Sequence, residues 1–251
     1  MAESVVLKLE SVSKSFAKVE KDEITNALKD VNIEMQKGEF ISLVGTSGCG
    51  KSTILRLIAG LITTTTGKIT LNGKEITGPG PERGLVFQKA TLFQWLTVEK
   101  NIRFGLELKN KSKINQEKVN NMIELIGLQD FKDDYPGQLS GGMAQRVSLV
   151  RTLINEPEIL MLDEPLGALD AFTRMNMQDE IISFWKENKQ LTIMVTHDID
   201  EAIYMGTRVI VMEANPGRVK ADIPINLEYP RNRSHISFTE YRNKILTMLN
   251  Y

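Results

Sequence analysis

The chain has 251 residues, 41% of them hydrophobic and 25% charged, with a formal net charge of −1; this is the composition of a folded protein of one large domain or two small ones. The charge balance argues against a general nucleic-acid binder, which carries a basic face, and the single cysteine, Cys49, excludes an intrachain disulfide. No apolar run is long enough to span a bilayer and Met1-Ala2-Glu3-Ser4 lacks the basic-then-apolar pattern of a signal peptide, so the chain is expected in the cytoplasm, held at any membrane by another protein.

In chain order, Val5–Leu9 reads as a strand and Phe40–Val44 as a buried strand. Gly45-Thr46-Ser47-Gly48-Cys49-Gly50-Lys51-Ser52-Thr53 follows, and then Ile54–Ala59, a helix stopping at Gly60. Strand, glycine-rich turn with Lys-Ser, then helix is the context of a phosphate-cradling P-loop. Glycines let the backbone aim several N–H groups at one anion, and the helix adds its positive dipole end. In such a loop Lys51 reaches the β- and γ-phosphates and the Ser52 hydroxyl ligates Mg²⁺. Cys49 is read as a small residue that fits the tight turn, where alkylation is expected to block nucleotide binding and bound ATP to protect the thiol. Ile69–Ile76 reads as a hairpin turning at Asn72-Gly73, and Leu85-Val86-Phe87 as a short strand ending at Gln88. Antiparallel strands in front of the P-loop strand suggest one mixed sheet.

From 90 to 155 the pattern is helical. Thr97 can cap a helix with Glu99 in its first turn, and Val119, Met122, Ile123 and Ile126 share one face, ending at Gly127. Lys109–Lys113 reads as a solvated loop. Beyond it, Ile159–Leu162 and Leu191–Val195 are continuous apolar runs, as in strands covered on both faces, with a helix over 171–187 between them. Arg208–Met212 is a further strand, and Asn215-Pro216-Gly217 marks a turn. From about Ala221 the chain becomes a polar tail ending in a short helix with Ile245 and Leu249; His235 in it reads as a surface residue. The expected organisation is an α/β core over 1–89 and 156–220, a helical subdomain over 90–155, and a tail over 221–251.

The strand 159–162 delivers two carboxylates, Asp163 and Glu164. Behind a P-loop, one carboxylate can hold Mg²⁺ and the next can polarise an attacking water, the two tasks phosphoryl hydrolysis asks of them. Leu139-Ser140-Gly141-Gly142-Met143 with Gln145-Arg146 precedes that strand; Gly167-Ala168-Leu169-Asp170 follows it; Thr196-His197-Asp198 closes the next strand; Gln88 ends an earlier one. In this order, over roughly Val5 to Val219, the motifs resemble those of the nucleotide-binding subunit of ABC (ATP-binding cassette) transporters.

The resemblance implies a P-loop NTPase (RecA-like) α/β core with an antiparallel β subdomain and an inserted helical subdomain. It implies that Phe16 stacks on adenine, that Gln88 touches Mg²⁺ or the water and borders the membrane partner, and that Asp163 holds Mg²⁺ while Glu164 is the catalytic base. Asp170 then communicates across a dimer and His197 contacts the γ-phosphate. In the family two cassettes close head to tail, each γ-phosphate lying between Lys51 and His197 of one copy and Ser140, Gly141 and Gly142 of the other. The implied cofactors are ATP and Mg²⁺. The implied partners are a second copy, transmembrane permease subunits and, indirectly, an extracytoplasmic binding protein, with no nucleic acid; the place of work is the cytoplasmic face of the membrane. Met143 departs from the glutamine that usually ends the signature, and hydrolysis is expected to survive this. Pro136–Met143, Asn215–Val219 and Tyr229–Arg233 are similar to the import cassettes for nitrate, sulfonate and taurine, a pattern that also serves importers of vitamin precursors. A soluble ABC ATPase acting on ribosomes or nucleic acid, and a small-molecule kinase, are the competing classes.

Overall fold

The computed structural model describes residues 6–18, 23–109 and 115–250. Three apolar runs form the centre: β3 (Phe40–Gly45), β7 (Ile159–Asp163) and β8 (Leu191–Val195), in which every residue except Gly45 is buried. They lie in a six-stranded sheet ordered β10-β9-β3-β8-β7-β6, where β6 is Arg83–Val86, β9 is Arg208–Glu213 and β10 is Arg218–Pro224. All neighbours in it are parallel except the edge pair β9–β10. Continuous hydrophobicity is what burial on both faces demands of a parallel strand.

Alternate residues of these strands feed two cores. Ile41, Leu43, Ile159, Met161, Ile193 and Val195 pack with Ile54, Leu55 and Ile58 of α1 (Lys51–Ile58). Their core continues into a separate antiparallel sheet of β1 (Val6–Lys18), β2 (Glu23–Gln36), β4 (Thr66–Leu71) and β5 (Lys74–Glu75). Phe40, Leu160, Leu162 and Met194 point the other way, toward α2 (Val98–Lys109), α3 (Gln116–Leu125), α4 (Gly141–Leu153) and α5 (Ala171–Asn188). A third cluster joins Val44 and Val209 to α6 (Ile199–Met205) and α7 (Ile236–Met248).

Several expectations are corrected. The antiparallel strands do not extend the P-loop sheet; they form their own. The first strand runs to Lys18 rather than ending at Leu9, because register shifts keep it paired with β2 past Ser11 and Ser13; Val5 lies outside the described residues, as does most of the run 109–113. The strand before Gln88 ends at Val86. The Asn72-Gly73 turn is present, with both residues at positive φ (50° and 78°). The tail is not simply polar: residues 221–224 belong to β10, and Ile223, Ile225, Phe238 and Ile245 are buried against α6 and β9. His235 is exposed, and its ring nitrogen accepts the Ser237 N–H to cap α7.

Phe238 is wholly buried in that third cluster. Phe238→Ala is expected to cost about 3–5 kcal/mol of stability, read as a lower urea midpoint; an unchanged midpoint would mean that the C-terminal segment is not docked as described.

Candidate functional site

Three turns leave the same edge of the parallel sheet. The first follows β3. Gly50 takes φ 92° there, and a Cβ on it would stand 2.4 Å from Leu28 Cδ2 and 3.0 Å from the Ala27 carbonyl, so only glycine fits. No side chain caps the start of α1 and no acidic residue stands in its first turn, which leaves first-turn N–H groups and the positive dipole end to an anion. Lys51 is 8% exposed; its Nζ donates to the carbonyls of Gly45 (2.7 Å) and Thr46 (3.2 Å) and lies 3.6 Å from Cys49 Sγ. Cys49 is wholly buried. A thiol reagent therefore needs the loop to open before it can react.

The second turn follows β7. The Ser52 hydroxyl donates to Asp163 Oδ1 at 2.9 Å, joining the P-loop helix to the end of this strand. Burial pushes the Asp163 carboxyl above its ordinary pKa; the Ser52 hydrogen bond opposes that, the adjacent Glu164 carboxylate adds to it, and Arg56 and Lys51 oppose it. Glu164 sits at φ 47°, an uncommon conformation for a residue with a Cβ and one that concentrates at functional sites. Its N–H donates to the Val195 carbonyl at 2.9 Å. The third turn follows β8: His197 Nδ1 stands 3.6 Å from Glu164 Oε2, which also accepts from Gln88 Nε2 at 2.8 Å. Gln88 is delivered by the segment after β6, which Gln145 of α4 holds by donating to the Phe87 carbonyl at 3.0 Å.

These turns line a cleft of 490 Å³ that gathers Gly45, Ser47, Gly48, Cys49, Gly50, Lys51, Ser52, Thr53, Gln88, Glu164 and His197. Ala27 lines it as well; it lies on β2, a strand not read from the sequence, so nothing there marked it. Phe16 is on β1 outside this lining, 40% exposed, with Lys14 Nζ 5.0 Å from its ring centroid. Ser140, Gly141, Gly142 and Asp170 are also outside the lining. Ser140 caps α4, its hydroxyl accepting the Met143 N–H at 3.2 Å. Gly142 packs on the 167–170 loop, since a Cβ there would lie 3.1 Å from Leu169 Cδ2. The Met143 side chain, where an amide is usual, packs on the helical core. Asp170 caps α5 through Thr173, and the hydrogen bonds from that residue hold its carboxyl below the usual range.

The ABC transporter family model matches residues 28–167. The chain belongs to the ABC transporter family. It is 49% identical over 98% of its length to an uncharacterised ABC transporter ATP-binding protein of Methanocaldococcus jannaschii, covering 91% of that protein. It is 48% identical over 88% of its length to an aliphatic sulfonates import ATP-binding protein of Bacillus licheniformis, covering 86% of it, and 45% identical over 93% to the like-named protein of Bacillus subtilis, covering 91%. The fold is similar to a dimeric post-hydrolysis state of an ATP-binding cassette bound to ADP and Pi, with a TM-score of 0.79 and 30% identity over 88% of this chain and all of that one. The α/β core with its antiparallel sheet and helical insertion is thus that of an ABC cassette, and the chain is an ATP-binding ATPase of transport. Among the described residues no helix is long and apolar enough to cross a membrane.

A carboxyl raised by burial opposes folding once ionised: the folded state binds the proton more tightly, so stability falls as pH rises from the ordinary carboxylate pKa through the folded one. Asp163→Asn is accordingly expected to raise the melting temperature of the nucleotide-free protein at pH 7 while reducing the further rise given by ATP with Mg²⁺. A lower melting temperature without nucleotide would contradict this.

Proposed function

We propose that the chain is the ATP-hydrolysing subunit of an importer for a small solute, working as a homodimer at the cytoplasmic face of a membrane against permease subunits. The observation that carries this is the Glu164 carboxylate, gripped by Gln88 and facing His197 at the mouth of a P-loop cleft. The triphosphate lies along the 45–53 loop, its anionic oxygens against the start of α1 and the Lys51 ammonium, which exchanges loop carbonyls for phosphate. Phe16 stacks on the base. Glu164 accepts a proton from water as the water oxygen bonds to the γ-phosphorus and the bond to the ADP oxygen breaks. His197 donates to the γ-phosphate and Gln88 orients the water.

The Ser52 hydroxyl and the Asp163 carboxylate form an all-oxygen pair 2.9 Å apart, the hard donor set that suits Mg²⁺. Burial of the carboxylate without a full counter-charge also favours a cation there. When bound, that ion offsets the negative charge on the phosphate oxygens.

Ser140 and Gly141 are exposed and lie outside their own chain's cleft, which supports the reading that this helix start, with Gly142, completes the cleft of a second copy, with Asp170 in the loop between the two. Dimeric cassettes with the same fold support it too. Hydrolysis removes the shared γ-phosphate and releases the pair, an order-by-phosphate switch that drives the permease. The aliphatic sulfonate importers among the relatives support a sulfonate or comparable small anion, with an extracytoplasmic protein supplying it.

Glu164→Gln is expected to lower ATP turnover by roughly 10²–10⁴-fold and to accumulate as an ATP-bound dimer in light scattering; a variant that remained monomeric in ATP would contradict the reading. Vesicles holding the chain with its permease should take up labelled methanesulfonate in preference to nitrate, and a reversed preference would move the substrate class.

A further inference from the structure

Helix α6 has seven residues, Ile199–Met205, and starts two residues after His197. A helix that short has little stability of its own, so its position is set by what holds it. Three arginines of the C-terminal segment do so. Arg231, 6% exposed, donates to the Ile203 and Gly206 carbonyls at 2.5 Å each, satisfying the end of the helix. Arg242 pairs with Asp200 in its first turn through two bonds of 2.5 and 2.6 Å. Arg233 lies with its guanidinium carbon 3.9 Å from the Tyr204 ring centroid and donates to Gln178 Oε1 at 2.5 Å.

Gln178 is the start of a buried polar chain. It is 3% exposed, belongs to α5, and its Nε2 donates to Glu201 Oε1 at 3.1 Å. Glu201, 6% exposed, also bonds the Thr196 side chain, has Asp198 and Arg174 as its charged neighbours, and is raised above its ordinary pKa by burial. Its N–H donates to Asp198 Oδ1 at 3.0 Å, and the Asp198 N–H donates to Thr196 Oγ1 at 3.1 Å. Both residues flanking His197 are thus tied to Glu201. A cavity of 60 Å³ has Glu201, Arg174, Glu164 and His197 together in its lining. The hydrolytic scheme above gives the Glu201 carboxylate no task, yet burying a carboxylate carries a desolvation cost that its hydrogen bonds must offset.

We propose that Glu201, Gln178 and Arg233 are positioning residues for His197, a relay by which the C-terminal segment and the Asp170-capped helix α5 together set where the histidine stands. The inference rests on the reading of His197 as the γ-phosphate donor. The relay places the imidazole against Glu164 without touching nucleotide, so its loss lowers the rate of the chemical step and leaves ATP affinity to the P-loop. It also makes the segment beyond residue 230 part of the hydrolytic apparatus.

The test is steady-state ATP turnover by the full chain with Mg²⁺, comparing His197→Ala, Glu201→Ala, Glu201→Gln and Arg233→Ala, and each of the two alanine relay variants combined with His197→Ala. Glu201→Ala and Arg233→Ala are expected to lower kcat by roughly ten- to a hundredfold with KM for ATP unchanged, and to cause no further loss in the His197→Ala background. Glu201→Gln keeps an oxygen for the Gln178 bond and should retain most of the rate. Should Glu201→Ala fail to fold by circular dichroism, Arg233→Ala reads the same link from its half-buried end. If His197→Ala hydrolyses ATP at the wild-type rate, the functional reading and the inference fall together. If His197→Ala is impaired but the relay losses add to it in full, appear in KM, or are absent, the inference alone is overturned.

Discussion

Parallel pairing sets the geometry on which the site depends. Val195 stands opposite Leu43 of β3 on one side and opposite Asp163 of β7 on the other. Three consecutive neighbours in one sheet therefore end at nearly the same level, and each runs into a turn that contributes to the cleft: the 45–53 loop, Glu164 and His197. Shifting any of the three strands by one residue would exchange its two faces. It would put Ile41 and Leu43, or Leu160 and Leu162, into the wrong core and break the alignment of the turns in the same step. Packing and site geometry are thus one constraint, and the apolar runs that make the core also aim the polar ends.

The charged groups at these strand ends are held at a cost. Lys51 and Asp163 are both nearly buried, and each has partners that satisfy only part of it: loop carbonyls for the ammonium, one hydroxyl for the carboxylate. A nucleotide phosphate and a cation are complementary to what remains. Glu164 adds a left-handed backbone conformation, fixed by its N–H bond to Val195. A fold selected for stability alone has no reason to collect two buried charges and an uncommon φ at one edge.

Much of this was legible in the sequence because its signals are local. The glycines and Lys-Ser of 45–52, the apolar runs 40–44, 159–162 and 191–195, and the acidic pair after the second run need no tertiary information. What escaped depends on distant partners. β2 has no clear strand signature, because in Glu23–Gln36 only Leu28, Val31, Ile33 and Met35 are apolar and buried, and a bulge interrupts their alternation; Ala27 at the cleft is hidden with it. Strand β1 continues past Leu9 through polar residues that have no strand signature but do have partners on β2. The region after residue 220 reads as polar because the sequence does not show that its arginines have partners on α6; Arg231 is buried and bound by carbonyls far away in the chain. The short helix α6 has an Asp198 cap and acidic first turn, but too few residues for a periodic face.

The central claim is that each cleft is completed by the helix start of a second copy. It is tested most directly by mixing two inactive chains, one carrying Lys51→Ala and the other Ser140→Arg, and measuring ATP turnover. If the loop of one copy works with the signature of its partner, a mixed dimer contains one site with both residues intact, and activity returns on mixing. If each chain were to use its own Ser140, no mixed dimer would hold an intact site, and the mixture would stay as inactive as either variant alone.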